Sequence, residues 1–147
     1  MDKTLIKNKR ATFDYELVEK FESGIILKGY EVKSLRLGQA HFASSYVTIT
    51  GGKVLLHHFH IAPYKKAALE AYDPEHEREL LLHKAEILKI SSALNTKGVT
   101  VIPLDCGLDK NRVKVTLAIA KGKTQYDKRE SIKKRDLKRH IETSLRD

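Results

Sequence analysis

SYVTITGGKVLLHHFHI, residues 45–61, carries the clearest structural signal in the chain. Gly51-Gly52 separates two runs rich in β-branched and aliphatic residues, and a two-residue glycine turn fixes the register of a hairpin. In that register Ile49 faces Val54 and Val47 faces Leu56 on one side, while Thr48 meets Leu55 and Tyr46 meets His57 on the other. The first side is predicted to face a core, with positive φ expected at one or both glycines.

Working outward, Phe13–Leu17 alternates apolar and charged residues, the period of a half-buried strand ending before Gly24. GYEVKSLRLGQ, residues 29–39, reads equally as a helical turn or two, or as a strand edge turning at Gly38. Asp73-Pro74 has the form of a helix start, followed by Glu75, Glu77 and Glu79. Leu80, Leu81, Ala85, Leu88 and Ser92 would form its buried stripe and Gly98 its stop, with Ser91-Ser92 a place where it could split. Two further strands are expected at Val99–Leu104 and Arg112–Ala120. In the second, Val113, Val115, Leu117 and Ile119 alternate with Lys114, Thr116, Ala118 and Ala120, which puts Lys114 on the exposed face. Strands, a helical interruption and more strands predict an α+β chain, mainly β: a small antiparallel barrel with flanking helices. Residues 1–12 are read as a flexible basic arm, 13–121 as the barrel and 122–147 as a basic tail.

Charge directs the functional reading. Of 147 residues, 28 are Lys or Arg and 19 Asp or Glu, a net charge of +9. From Lys121, the last residue assigned to the barrel, to Asp147 there are ten basic and five acidic residues, so this stretch holds +5 and the remaining residues +4. Such a tail cannot bury enough apolar surface to order itself, and is expected to be disordered alone and ordered on an anionic partner. A helix starting at Asp127, with Glu130 reaching back, would set Lys128, Arg135, Arg139 and Arg146 opposite Leu137, Ile141 and Leu145. No apolar run approaches the ~20 residues of a membrane span, and no signal-peptide core follows the N-terminus. With a single cysteine, Cys106, the expectation is a soluble cytoplasmic protein without internal disulfides. No phosphate loop, nucleophile elbow or acid pair is present, so no enzyme activity is expected. His57, His58 and His60 lack a full ligand set within their strand, and no metal or other cofactor is expected. His76 and His83 read as solvated residues of one helical face.

Several segments together resemble the SmpB family, the SsrA-binding proteins of bacteria: NKRA (8–11), GYEVKSLRLG (29–38), SYV (45–47), LLLHKAEI (80–87), RVKV (112–115) and AKGKTQYDKRESIKKRD (120–136). The matches run in order across nearly the whole chain. The resemblance implies an OB-fold-like (oligonucleotide-binding) barrel that binds the tRNA-like end of transfer-messenger RNA (tmRNA, SsrA RNA) and brings it to stalled ribosomes for trans-translation and rescue. It implies elongation factor Tu, carrying aminoacylated tmRNA, as a further partner. The expected state is a monomer without membrane contact. A general ribosomal or single-strand RNA-binding protein on the same barrel is the alternative. By resemblance Asn8, Glu22, Leu81 and Lys114 contact tmRNA; Lys9, Arg10, Lys33 and Arg36 complete that candidate set. Leu81 is also open to a core role.

For the tail, resemblance implies contact with the decoding centre, the mRNA channel and small-subunit rRNA through Gly122, Lys123, Tyr126, Asp127, Lys128, Arg129, Lys133, Lys134 and Arg135. Tyr126 stands where many relatives carry histidine, and either ring offers a face for stacking. AYDPEHERELLL departs from the family's P-x-R-x-R-K-L-L-L run by carrying Glu75, His76, Glu77 and Glu79, so Arg78 is the one arginine left there. LDCGLDKNR lacks the usual aromatic pair, Cys106-Gly107 standing in its place.

Overall fold

The Gly51-Gly52 hairpin forms in the predicted register, with Tyr46, Val47, Thr48 and Ile49 opposite His57, Leu56, Leu55 and Val54. Val47, Val54 and Leu56 are buried and Ile49 is half-buried. Both glycines have positive φ, +57° and +78°, the handedness that matches strand twist in a two-residue turn.

A computed structural model describes residues 3–65 and 71–122. Over these the chain forms β1 (Lys3–Lys7), α1 (Ala11–Asp14), β2 (Tyr15–Ile25), α2 (Gly29–Arg36), β3 (Ala40–Thr50), β4 (Lys53–Ile61), β5 (Arg78–Leu81), α3 (Lys84–Leu94), β6 (Val99–Asp109) and β7 (Arg112–Gly122). The strands make one sheet in the order β1-β6-β7-β2-β5-β4-β3, antiparallel at every pairing. β3 also lies against β6 and β1, so the sheet curls back on itself into an OB-fold-like barrel. Phe21, Val47, Leu56, Phe59, Val101, Val115 and Leu117 fill its interior, joined by Leu35 from α2 and Ile90 from α3. Each such aliphatic side chain removed from water contributes about 1.5–3 kcal/mol. Cys106 lies in this core; burial, and after it the charge of Asp105, pushes its thiol up to about 12. A second cluster of Ala11, Ile102 and Ala120, with Tyr15 and Leu17 against it, covers the other face of β7's end. Ala120 is therefore buried, and Ala118 is buried as well, although their alternation reads as exposed.

Three expectations change and one open reading is decided. The segment read as an arm contains β1, which pairs with β6 and buries Ile6, and Ala11 seals the second cluster. Ala11–Asp14 is a helical turn rather than the start of a strand, and β2 runs through Gly24 because that residue pairs with Lys114 on one side and Leu81 on the other. Residues 29–36 form a helix, and Gly38, at φ +73°, turns the chain out of it.

The last change is the largest: no helix starts at Pro74. Asp73 Oδ1 accepts the Glu75 N–H at 2.9 Å, yet the turn leads into β5. The helix begins ten residues later, where Glu86 accepts the His83 N–H at 3.1 Å. Its buried stripe is Ile87, Ile90 and Leu94; Leu88 is exposed, Ala85 is exposed, and the helix runs unbroken through Ser91-Ser92. His83 precedes this helix and His76 lies in the turn, so the two do not share a helical face.

Arg78 diverts the chain. Its side chain is fully buried against Glu31, which is 1% exposed: Arg78 Nε donates to Glu31 Oε2 at 2.8 Å, and its other nitrogens donate to Phe59 O, to Pro74 O at 2.9 Å and to His76 O at 3.2 Å. Glu31 Oε1 accepts the Lys28 N–H at 2.9 Å, and Oε2 also meets Tyr72 Oη at 3.2 Å and His76 Nε2 at 3.0 Å. The Tyr72 hydroxyl, 3.0 Å from Ile61 O, is pushed up to about 12 by burial and by the charge of Glu31. A buried guanidinium with its donors placed on acceptors outweighs a local helix signal worth about 1 kcal/mol.

Burial by itself would raise the Glu31 pKa. The Lys28 N–H, the hydrogen bond and charge of Arg78, and His76 overcome that and hold the carboxyl below its ordinary value. A carboxyl depressed in the folded state gives stability that is complete above its unfolded pKa and is lost as pH falls through the folded one. Arg78→Met leaves the carboxylate buried without its cation and is expected to cost about 3–5 kcal/mol near neutral pH. Because the variant's Glu31 no longer favours ionisation, the loss shrinks as pH falls. Urea unfolding of both proteins between neutral and acid pH measures it; an equal deficit at every pH contradicts the assignment.

Candidate nucleic-acid interface

Gly24 pairs in register with Lys114 of β7 and with Leu81 of β5. Two residues before it, Glu22 is opposite Thr116, so Glu22 and Lys114 are diagonal neighbours on one face. That face is the outer one, since Phe21, Ser23 and Val115 point into the barrel. With hydrogen as its side chain, Gly24 leaves the sheet bare between a cation and an exposed leucine; a Cβ there would lie 3.4 Å from Leu81 Cβ.

The hollow opens into a cleft of about 540 Å³. Ile25, Leu27 and Val32 form one side, and Leu81, Leu82, His83 and Glu86 another, while Asn111, Arg112 and Lys114 close it from the β6–β7 turn. Lys110 and Asn111 in that turn have φ of +50° and +68°, the geometry of a primed hairpin. Apolar walls with a rim of ammonium, guanidinium and carboxylates suit RNA: cations meet phosphates, carboxylates accept from 2′-hydroxyls or base amino groups, and apolar walls cover a sugar or base face.

Three of the four residues carried over from the family pattern, Glu22, Leu81 and Lys114, therefore meet at one place. Leu81 is 54% exposed, which settles its two readings against the core. Lys114 is half-buried, its stem laid along the cleft. Asn8 is elsewhere. Its Nδ2 donates to Pro103 O and its backbone N–H to Leu104 O, both at 2.8 Å, so the amide fastens the start of α1 to β6. It borders a second cleft of about 350 Å³ with Arg10, Asp14, Tyr46 and Thr100. Lys9 and Arg10 are exposed beside it; Arg10 lies over the Phe13 ring and 3.5 Å from Asp14. On α2, Arg36 is exposed one helical turn beyond Val32, and Lys33 is over the Tyr64 ring. Gly122 ends β7. Lys123, Tyr126, Asp127, Lys128, Arg129, Lys133, Lys134 and Arg135, with the Asp127 helix start, lie outside the described residues.

Arg78, the arginine left in the acidic departure, is not on the surface at all. Sequence reasoning missed Gly24, Glu86 and Arg112 as parts of the cleft; the signal for Gly24 was a glycine interrupting an alternating strand. The histidines gain partners that their own strand lacks: His58 and His60 face Glu75 at 3.9 and 3.8 Å, His57 faces Glu77 at 3.7 Å, and His60 stacks on His41. Among the described residues no group of three or more His, Cys, Asp or Glu is arranged to hold a metal ion.

The SmpB protein family model matches residues 5–147. The chain belongs to the SmpB family. It is 46% identical over 145 residues to the SsrA-binding protein of Sulfurihydrogenibium sp. (strain YO3AOP1), covering 99% of this chain and 95% of that one. To that of Geotalea uraniireducens (strain Rf4) it is 44% identical over 146 residues, covering 99% and 97%. To that of Aquifex aeolicus (strain VF5) it is 44% identical over 143 residues, covering 97% and 91%. The SmpB fold itself is matched in the solved structure "tmRNA-SmpB: a journey to the center of the bacterial ribosome", at a TM-score of 0.69 and 39% identity, over 86% of this chain and 92% of that one.

The hydrogen bonds of Asn8 make it a structural residue in the first instance. Asn8→Ala is expected to lower stability by about 1–2 kcal/mol, a part-buried side-chain hydrogen bond and the carbonyl it leaves. Arg10→Ala, at an exposed pair, should cost well under 1 kcal/mol. Paired urea titrations check this; equal losses, or none for Asn8→Ala, contradict it.

Proposed function

We infer that this chain binds tmRNA and acts with it at the ribosome in trans-translation. Family membership supports the assignment, and the observation that carries the site is the convergence of Glu22, Leu81 and Lys114 around Gly24 on three adjoining strands. The cleft takes the tRNA-like part of tmRNA. Lys114 supplies charge to a phosphate and Glu22 an acceptor to a 2′-hydroxyl or base, while Leu81 lies against an apolar face. Arg36, beyond Val32, extends this surface along α2, and Lys9 and Arg10 offer a second, separate contact.

The basic tail performs a different task. Gly122, at the end of β7, and Lys123, Tyr126, Asp127, Lys128, Arg129, Lys133, Lys134 and Arg135 address the decoding centre and the mRNA channel, releasing counterions from rRNA phosphates. Elongation factor Tu delivers the complex of one chain with aminoacylated tmRNA, in the cytoplasm. The protein is a binding partner rather than an enzyme: its contribution is shape and charge.

Lys114→Ala is expected to leave the melting temperature within about 1 °C, as surface substitutions do. It should weaken tmRNA binding about five- to tenfold, one charge-assisted contact's worth. Truncation after Gly122 should keep tmRNA affinity and abolish peptide tagging on stalled ribosomes. Affinities for tmRNA and for an unacylated tRNA at matched salt, beside a tagging assay, test both. Equal affinity for the two RNAs favours general RNA binding, and normal tagging by the truncated chain refutes the division of labour.

A further inference from the structure

We propose that Gly24 is itself a contact residue of the RNA cleft: one nucleoside of tmRNA comes down edge-on to the β2 backbone there, into the space that a side chain would occupy. The proposal rests on the cleft being the tmRNA site. Glycine weakens a strand interior, and within the protein it stands in one for a few physical reasons: a bulge or sharp bend, a φ that other residues avoid, or a neighbour that leaves no room for a Cβ. None of these is found at Gly24. Both ladders run in register through it, Ser23 and Gly24 opposite Val115 and Lys114 on one side, Gly24 and Ile25 opposite Leu81 and Leu80 on the other, and the irregularity of β2 lies earlier, between Leu17 and Glu19. Its φ is outside the positive region that Gly38, Gly51, Gly52 and Gly98 occupy. A Cβ would find Leu81 Cβ at 3.4 Å, Cδ1 at 3.7 Å and Cγ at 3.9 Å, the reach of ordinary packing against an exposed side chain. The fold alone therefore accepts alanine.

What remains is the close approach of a ligand, and the surroundings give its chemistry. Gly24 lies between two ladders yet is half-exposed, in the lining of the cleft. Its cross-strand neighbours on the outer face, Lys114 and Leu81, stand on strands about 10 Å apart, twice the spacing of a paired strand. The three atoms nearest the missing Cβ all belong to Leu81, so the apolar wall is the near side of the gap and the lysine the far side. Glu22 follows one row along the same face, opposite Thr116. A nucleoside fits this order of groups: its ring against Leu81, a hydroxyl or amino group toward Glu22, its phosphate toward Lys114. To reach all three at once the ring has to descend between the strands that carry them, and the bare backbone of Gly24 is where it comes to rest. A methyl group in that place lifts the ring by roughly 1 Å, and a gap of that size forfeits a quarter to a half of the dispersion attraction across it.

The test compares the full chain as wild type, Gly24→Ala, Leu81→Ala, the Gly24→Ala/Leu81→Ala double variant and Lys114→Ala, by affinity for tmRNA at fixed salt and by melting temperature. Gly24→Ala is expected to melt at or above wild type, because alanine restricts the unfolded chain and the backbone here suits it. The same variant should bind tmRNA about tenfold more weakly, the effect of one carbon in a fitted pocket. A substitution that acted only by pushing Leu81 aside would cost nothing further in a chain already carrying Leu81→Ala; a further loss of similar size is expected in the double variant, since the methyl group meets the nucleoside directly. Wild-type affinity for Gly24→Ala overturns the proposal. So does a loss of affinity that comes with a lower melting temperature, because the fold then needs the glycine, and so does a double variant no weaker than Leu81→Ala. If Gly24→Ala binds normally while Lys114→Ala is weakened, the cleft assignment stands and only the role of Gly24 falls. If both bind like wild type, the cleft is not the tmRNA site and the proposal fails with it.

Discussion

The Glu31–Arg78 ion pair is the constraint on which the rest of the barrel turns. A carboxylate and a guanidinium are both removed from water, which is favourable only when the remaining donors and acceptors are matched. Here Lys28, Phe59, Tyr72, Pro74 and His76 supply those matches, drawn from the residue that caps α2, from β4 and from the turn before β5. One polar centre thereby fixes where α2 lies, where β4 stops and where β5 enters the sheet. The apolar core around Leu35, Phe59 and Leu80 tolerates small shifts in packing; the polar centre tolerates few, because every displaced donor is left without water.

That hierarchy explains what could be read from the chain unaided. The β3–β4 hairpin was legible because its information is local: alternation, a glycine pair and a register that follows from both. β7 was legible for the same reason, up to Ala118 and Ala120, both buried, the second of them under the distant Ala11 and Ile102. The segment from Asp73 to Leu81 was misread because its fate depends on a glutamate 47 residues before Arg78. No window of sequence contains both partners. Of the acidic residues that look like a first helical turn, Glu75 and Glu77 instead answer histidines of the neighbouring strand and Glu79 answers Lys53.

The candidate site divides along the same line. Lys114 follows from strand alternation, and Glu22 and Leu81 came from likeness to a family pattern. That the three converge depends on β2 being shared between two ladders at Gly24, a fact of topology rather than of composition. Asn8 belongs to the same family pattern, yet its amide is committed to Pro103; a residue type suited to reading bases can serve equally by holding backbone together.

Cys106 has a consequence outside recognition. The chain's one sulfhydryl sits in the barrel core, its thiolate suppressed first by burial and then by the carboxylate beside it. Nucleophilic sulfur is thus almost absent at physiological pH, and the sulfur atom is screened from peroxide, glutathione and the thiols of other chains. The folded barrel is redox-silent: its contacts with RNA need no reducing agent, and a cysteine placed deliberately on its surface would be the reactive one.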